Sequence, residues 1–433
     1  MFRFGSDPYT VIRPIIHSES HTAEPHQTHM LKAETRSQAL IFVSAATFLS
    51  LSVWFSTNAI SGALELEKSI GESSIALLTI AVQLGFVFGT LLIAVTNLSD
   101  LVNTRTLFAV SAVLAALTNL LVIPLDSTPA IISARFITGA FLGGVYPPAM
   151  KVISGWYTKG RGFALGTMVG ALTIGSGSPH LLRSIFSDNW QAVIVGSSIL
   201  AITGGAILRF VVTDGPHDVN GARFNPRYLL GALAERGPRL ALAGYLGHQW
   251  ELYAMWAWIG SYMVYVIGEK SLIGDSLDLA SALTFLVFAL GAVASSYAGA
   301  WSEKIGRTAV SSIAMVISGG VAAVIGFMPP EMSILIVILA MIWGASVIAD
   351  SAQFSTAMTE LSDPAYRGTM LTFQTGVGFA LTAVSIWLLP IVKDSSGWGW
   401  AFAMLALGPV VGTAAMLRLR SLPESTNLAA GKR

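Results

Sequence analysis

Trp301-Ser302-Glu303-Lys304-Ile305-Gly306-Arg307 sits between two stretches too apolar for a soluble protein. An echo of it, Leu98-Ser99-Asp100 followed by Asn103 and Arg105, lies about 205 residues earlier. Other pairs keep nearly the same offset: Arg161-Gly162 with Arg367-Gly368, and Leu84-Gly85 with Leu290-Gly291. The chain therefore reads as two copies of one half, and duplicated membrane bundles of this kind house a pathway between their halves.

The composition agrees. Of 433 residues, 53% are hydrophobic and 11% charged, roughly half the usual share of charge, and the mean hydropathy is +0.66. A net charge of +1 gives no sign of a nucleic-acid partner. The absence of cysteine excludes disulfides, thiolate metal sites and cysteine nucleophiles. No spaced metal-ligand set and no helical His-Glu pair suggests catalysis, so no enzyme, metal or cofactor is expected. The first 37 residues lack the charged start and apolar core of a cleavable signal peptide, and read as a disordered cytosolic tail. Within it His17, His21, His26 and His29 are spaced too irregularly for a metal tract.

A membrane-spanning helix needs about 20 apolar residues, and twelve stretches qualify, from 39–61 through 398–417. The longest polar interruption, 213–239, splits them six and six. The expected organisation is a tail (1–37), a six-helix bundle (38–212), a cytosolic central loop (213–239), a second bundle (240–417) and a cytosolic C-terminal tail (418–433). Lys and Arg concentrate in the tails and in the loops after even-numbered helices, which places both termini in the cytoplasm.

The repeated turn carries a family resemblance. Gly299, Glu303, Lys304, Gly306 and Arg307 resemble the short loop between paired helices in major facilitator superfamily transporters, and the likeness extends from about residue 39 to 417. The resemblance implies an all-α membrane protein of twelve transmembrane helices in two pseudo-symmetric halves. It also implies that Asp100, Arg105, Glu303, Lys304, Gly306 and Arg307 latch the outward-facing state. The first copy departs from the pattern: Thr96 stands where glycine is expected, Leu101 replaces a basic residue, and Asn103 takes the turn position. Asparagine tolerates the left-handed conformation glycine would supply there. Pro179 of helix five comes late and without following glycines, so the superfamily's antiporter signature is not matched.

Charges inside the apolar stretches mark candidate chemistry. Arg135, inside helix four, needs water, a carboxylate or an anionic substrate, unless it reaches the outer interface. Helix seven carries His248, Gln249, Trp250, Glu251, Tyr253, Trp256 and Trp258. Glu251 lies ~16 Å into a ~30 Å core. A carboxylate at that depth either takes up a proton or needs a partner cation, so Glu251, His248 and Asp350 of helix ten are the candidate proton-coupling set. Trp54 and Asn58 of helix one, Gln83 of helix two, Gln353 of helix ten and Gln374 of helix eleven join Arg135, Trp250 and Tyr253 as candidate substrate contacts. The expected function is secondary active transport of a small solute by alternating access, with protons as coupling ion, in a plasma or bacterial inner membrane. A small organic anion or metabolite fits Arg135 best. Proton-driven export of lipophilic compounds is the alternative, and a non-transporting receptor lies outside the class. Nitrate or nitrite porters would bring arginines in helices two and eight, and neither stretch holds one.

Overall fold

The computed structural model describes residues 33–433 apart from 97, 158–159, 188, 218–227, 229–232, 269–275 and 364–365. The expected tail up to residue 32, with its histidines, and much of the expected central loop lie outside the described residues. Every regular element described is helical, as hydrocarbon demands of a chain that must satisfy its own backbone. In chain order the helices are α1 (Arg36–Ser50, continued by Leu51–Val53, Ser56–Ala59 and Ser61–Lys68), α2 (Glu72–Thr96), α3 (Thr104–Leu120) and α4 (Thr128–Leu142, continued by Tyr146–Ser154). Then follow α5 (Arg161–Phe186), α6 (Trp190–Phe210), α7 (Arg236–Ile267), α8 (Ser276–Ile305) and α9 (Arg307–Ile325). Last come α10 (Ser333–Ala349, continued by Ser351–Leu361), α11 (Arg367–Ala403) and α12 (Leu407–Arg420).

Eight stretches are long and apolar enough to cross a membrane, one of which, Arg367–Arg420, contains both α11 and α12. Gly397, at φ 78°, breaks α11 near its end, and a 3₁₀ turn over Met404–Ala406 leads on into α12. Outside the eight, α3 is apolar but short, α5 carries glycines, serines and Pro179, and α7 carries the polar set around His248 and Glu251. Grouped across their breaks, the helices make twelve rods among the described residues. Large apolar side chains such as Val95, Phe210 and Ile334 stand on the outer surface, the face a bilayer solvates.

Local chemistry sets the ends and breaks. Thr35 opens α1 with a reciprocal capping box to Gln38. Pro147 and Pro148, which cannot donate to the ladder, sit in the first turn after the break in α4. Gly306, at φ 101°, makes the turn between α8 and α9. Asn103 differs from expectation. Its φ is −52°, and its side chain caps α3 by accepting from the backbone of Arg105 and Thr106. The first copy has exchanged a left-handed turn for a side-chain cap.

Two helix contacts position everything else. In the first half α2 meets α4 backbone to backbone: a Cβ on Gly139 would lie 2.1 Å from the Val82 carbonyl oxygen. Between the halves α5 meets α8 along Gly162, Gly166 and Gly170, facing Gly299, Ser295 and Ala292. Small residues at one-turn intervals allow such approach. After α12 the chain folds back as Pro423–Gly431, burying Leu428 and donating from the Ala429 backbone to Glu360 at 3.0 Å. Gly139→Val is expected to lower unfolding stability by about 2 kcal/mol through overpacking, read as a fall in the thermal midpoint of the purified protein.

Candidate functional site

The centre of the molecule is aromatic. Trp54 and Phe55 of α1 and Phe86 of α2 come from the first half; Tyr253 and Trp256 of α7, Phe288 of α8 and Phe379 of α11 come from the second. Ring centroids lie 5.0 Å apart for Trp54 and Phe86, 5.9 Å for Trp54 and Tyr253, 4.7 Å for Phe86 and Phe379, and 4.8 Å for Tyr253 and Phe379. Trp256 continues the set to Phe288 at 5.0 Å. All seven side chains are buried. Among them are polar groups with no hydrogen-bond partner among the described residues: the indole N–H of Trp54 and of Trp256, and both amide atoms of Gln83. Gln83 stands one turn before Phe86 on the α2 face that also carries Thr79. Thr79 donates to Asn58 at 3.0 Å, and Asn58 donates across to the Ala257 carbonyl of α7 at 3.3 Å. The structure therefore brings together Trp54, Asn58, Gln83 and Tyr253. Gln374, on the helix that carries Phe379, is buried with both amide atoms unpartnered among the described residues.

The other expected substrate contacts are placed elsewhere. Trp250 donates to the Met404 carbonyl, leading into α12, at 3.1 Å. Gln353 accepts from Arg307, the first residue of α9, at 3.4 Å. Arg135 is fully buried under the break in α1. Its guanidinium donates to the carbonyls of Val53 at 3.1 Å and Trp54 at 2.5 Å, to Ser56 at 3.3 Å and to Asn119 at 2.8 Å. Asn119 of α3 in turn donates to Ser198 of α6. Carbonyls freed by the break in α1 thus find a charged donor where water is absent.

Both buried acids of the second half are held inside that half. Glu251 accepts from Ser318 of α9 and from the indole of Trp343 of α10, each at 2.8 Å. No ion pair of Glu251 occurs among the described residues. Asp350 lies at the break in α10, its Oδ1 2.8 Å from Nδ1 of His248, and both side chains are 1% exposed. The Nε2 of His248 has no partner among the described residues.

At one end of the α5–α8 seam, Glu303 accepts from the backbone N–H of Gly162 at 2.9 Å. Gly162 is in the first turn of α5, whose N-cap, Gly160, brings no side chain. An acid at a helix N-terminus is favoured by the unpaired N–H groups and the helix dipole, and this contact joins the two halves. Arg307 supports it within the second half, donating to Ser302 at 2.6 Å and pairing with Glu360 at 3.1 Å. Gly306 forms the turn. Lys304 points to the outer surface of α8, where it lines a groove between α8, α9 and α10. In the first copy the Asp100 side chain lies outside the described residues, and Arg105 forms a two-pronged pair with Asp214, both N–O distances 2.8 Å. That pair ties the start of α3 to the segment that follows α6. At the opposite end of the seam a cavity of about 300 Å³ opens between α1, α5, α7 and α8, with Asn58, His180, Arg183, Trp258 and Thr284 in its lining.

Two broken and capped six-helix halves, seamed by α5 and α8 and sharing a central aromatic site, define a membrane transport fold. The chain belongs to the Major Facilitator Superfamily, whose family pattern matches residues 43–274, and it is accordingly a multi-pass membrane protein and a secondary transporter of a small-molecule substrate. Among solved structures it is similar to a crystal structure of a point mutant of the nucleoside transporter NupG. That likeness has a TM-score of 0.68 and 12% sequence identity, and covers 88% of this chain and 99% of that one. No curated protein matches it by sequence.

The sequence did not single out Phe55, Phe86, Phe288 or Phe379 for the site, nor Asn119, Ser318 and Trp343 as partners of the buried charges. A phenylalanine in an apolar helix carries no mark of which way it faces. Arg135→Met is expected to cost about 3 kcal/mol of stability by stripping charged hydrogen bonds from α1, seen as a lower unfolding midpoint. Glu303→Ala is expected to raise thiol labelling of a Ser295→Cys reporter about tenfold, for loss of ~1.5 kcal/mol of charge-assisted bonding. The chain's lack of cysteine makes that reporter unique.

Proposed function

We propose that the chain is a proton-coupled carrier of an uncharged solute bearing a flat heteroaromatic ring, working by alternating access around the Trp54–Tyr253–Phe379 site. The observation that carries this reading is the aromatic set drawn from both halves, with amide and indole groups left unpartnered beside it. Stacking recognises a ring from its faces, and the Gln83 amide, which both donates and accepts, suits a heterocycle's edge. The hydrogen bonds Arg135 gives to the protein favour an uncharged solute over the organic anion suggested by the sequence alone. The fold neighbour described as a nucleoside transporter carries solutes of this chemical kind.

In this reading the basic face is cytoplasmic, by the distribution of Lys and Arg. The Glu303–Gly162 contact and the α5–α8 seam then close the cytoplasmic side, and the cavity near Asn58 is the external vestibule. Solute entering there parts the aromatic rings, and release follows when the seam opens and the halves rock around the site. Glu251 is the coupling acid: two neutral donors hold it, and a carboxylate buried without a cation is best accommodated with a proton. The His248–Asp350 pair sits one turn away on α7 and carries the second exchangeable proton.

Uptake of radiolabelled nucleosides, nucleobases and ring-free carboxylates into proteoliposomes, with and without a pH gradient, tests the reading. Ring-bearing solutes are expected to accumulate, and Tyr253→Ala or Phe379→Ala to raise their KM about tenfold, the ~1–3 kcal/mol of one stacked ring. Flux confined to ring-free anions would overturn the substrate class. Glu251→Gln is expected to keep solute exchange while losing accumulation driven by the pH gradient; a fully retained pH response would remove Glu251 from the coupling role.

A further inference from the structure

A large cavity lies on the membrane-facing side of the second half, away from the central site. It is a groove of about 640 Å³ between α8, α9 and α10. Residues three and four apart on each helix line it: Ala294, Ala298 and Trp301 on α8, Ile313 and Ile317 on α9, Ala345 and Ala349 on α10. Alanines on α8 and α10 form its floor, and exposed Ile313 and Ile317 form a wall. Among the described residues Lys304 is the one charged side chain in the lining, at the end of the groove on the basic face, and no acid lines it. Tyr297 and Trp301, 74% and 47% exposed, stand beside Lys304 on the same face of α8.

Three features fix what fills such a groove. Its walls are hydrocarbon and open toward the bilayer, so the body of the occupant is an alkyl chain. Ala294 to Lys304 spans about 15 Å at 1.5 Å per residue, which is one leaflet of a ~30 Å core. A lone cation at the interface, with Trp301 one turn deeper on the same face of α8, calls for a negative headgroup. We propose that this groove is a binding site for a phospholipid with an acidic headgroup, one acyl chain lying along α8 and the phosphate at Lys304. The site adjoins the Glu303 turn, so the lipid packs directly against the element that joins the two halves.

The test uses the full chain in nanodiscs of equal parts phosphatidylglycerol and phosphatidylcholine, with the lipids retained after release identified by native mass spectrometry. The wild type is expected to retain phosphatidylglycerol over phosphatidylcholine about fivefold, the discrimination one interfacial lysine supplies. Lys304→Gln is expected to abolish the preference while still retaining lipid, and Lys304→Arg to keep it. Ala345→Leu, which fills the floor of the groove, is expected to reduce retention of both lipids. Equal retention of the two lipids by the wild type would mean adventitious hydrocarbon only and overturn the proposal. An undiminished preference in Lys304→Gln would overturn the headgroup assignment, and unchanged retention in both Ala345→Leu and Ala298→Leu would overturn the groove itself.

Discussion

A helix that breaks inside hydrocarbon leaves carbonyls without water, and each unmet group costs several kcal/mol. The contact of Arg135 with the carbonyls of Val53 and Trp54 answers that cost, and much of the centre depends on it. Because α1 tightens into a 3₁₀ turn through Leu51–Val53 and breaks at Trp54 and Phe55, both rings turn into the molecule, where they meet Phe86, Tyr253 and Phe288. Asn119 and Ser56 complete the same network, tying α3 and α6 beneath the break. The buried charge thus holds the shape of the wall to which the aromatic site belongs.

The second half solves a similar problem differently. Its buried acids are met by Ser318, Trp343 and His248, all from the same half. Arg135, Glu251 and Asp350 are thus met within their own halves, whereas Arg183 of α5 pairs with Asp278 of α8 across the seam at 3.7 Å; the rest of the surface between halves is left to rings, small residues and a few directional contacts. Such a surface can separate without stranding Arg135, Glu251 or Asp350. The arrangement suits two bodies that move against one another.

Much of the architecture was legible in the sequence, because apolar length and repeated turns report directly on helices that cross a bilayer. The turn at Gly306 and the reach of Glu303 followed from residue types whose chemistry permits little else. The centre was only half legible. Asn58, Gln83, Trp54 and Tyr253 stood out as polar or amphipathic residues in apolar company. The phenylalanines around them did not, since the same residue serves the lipid face equally well. Asn103 kept the turn by capping a helix rather than by adopting the left-handed conformation, a distinction set by backbone angles and invisible in residue identity. Arg135 was legible as a buried charge, yet its partners are main-chain carbonyls of a helix break, which no residue letter announces.

The unequal fates of the repeated turn reach further than its geometry. In the second copy Glu303 reaches across to the other half, while in the first Arg105 and Asp214 are fastened within their own. Among the described contacts Glu303 of the second copy is a rivet and Arg105 of the first a clasp, so the described join at this face runs through Glu303. A molecule built this way answers to small influences near that place, from a neighbouring side chain to whatever lies against the outside of α8.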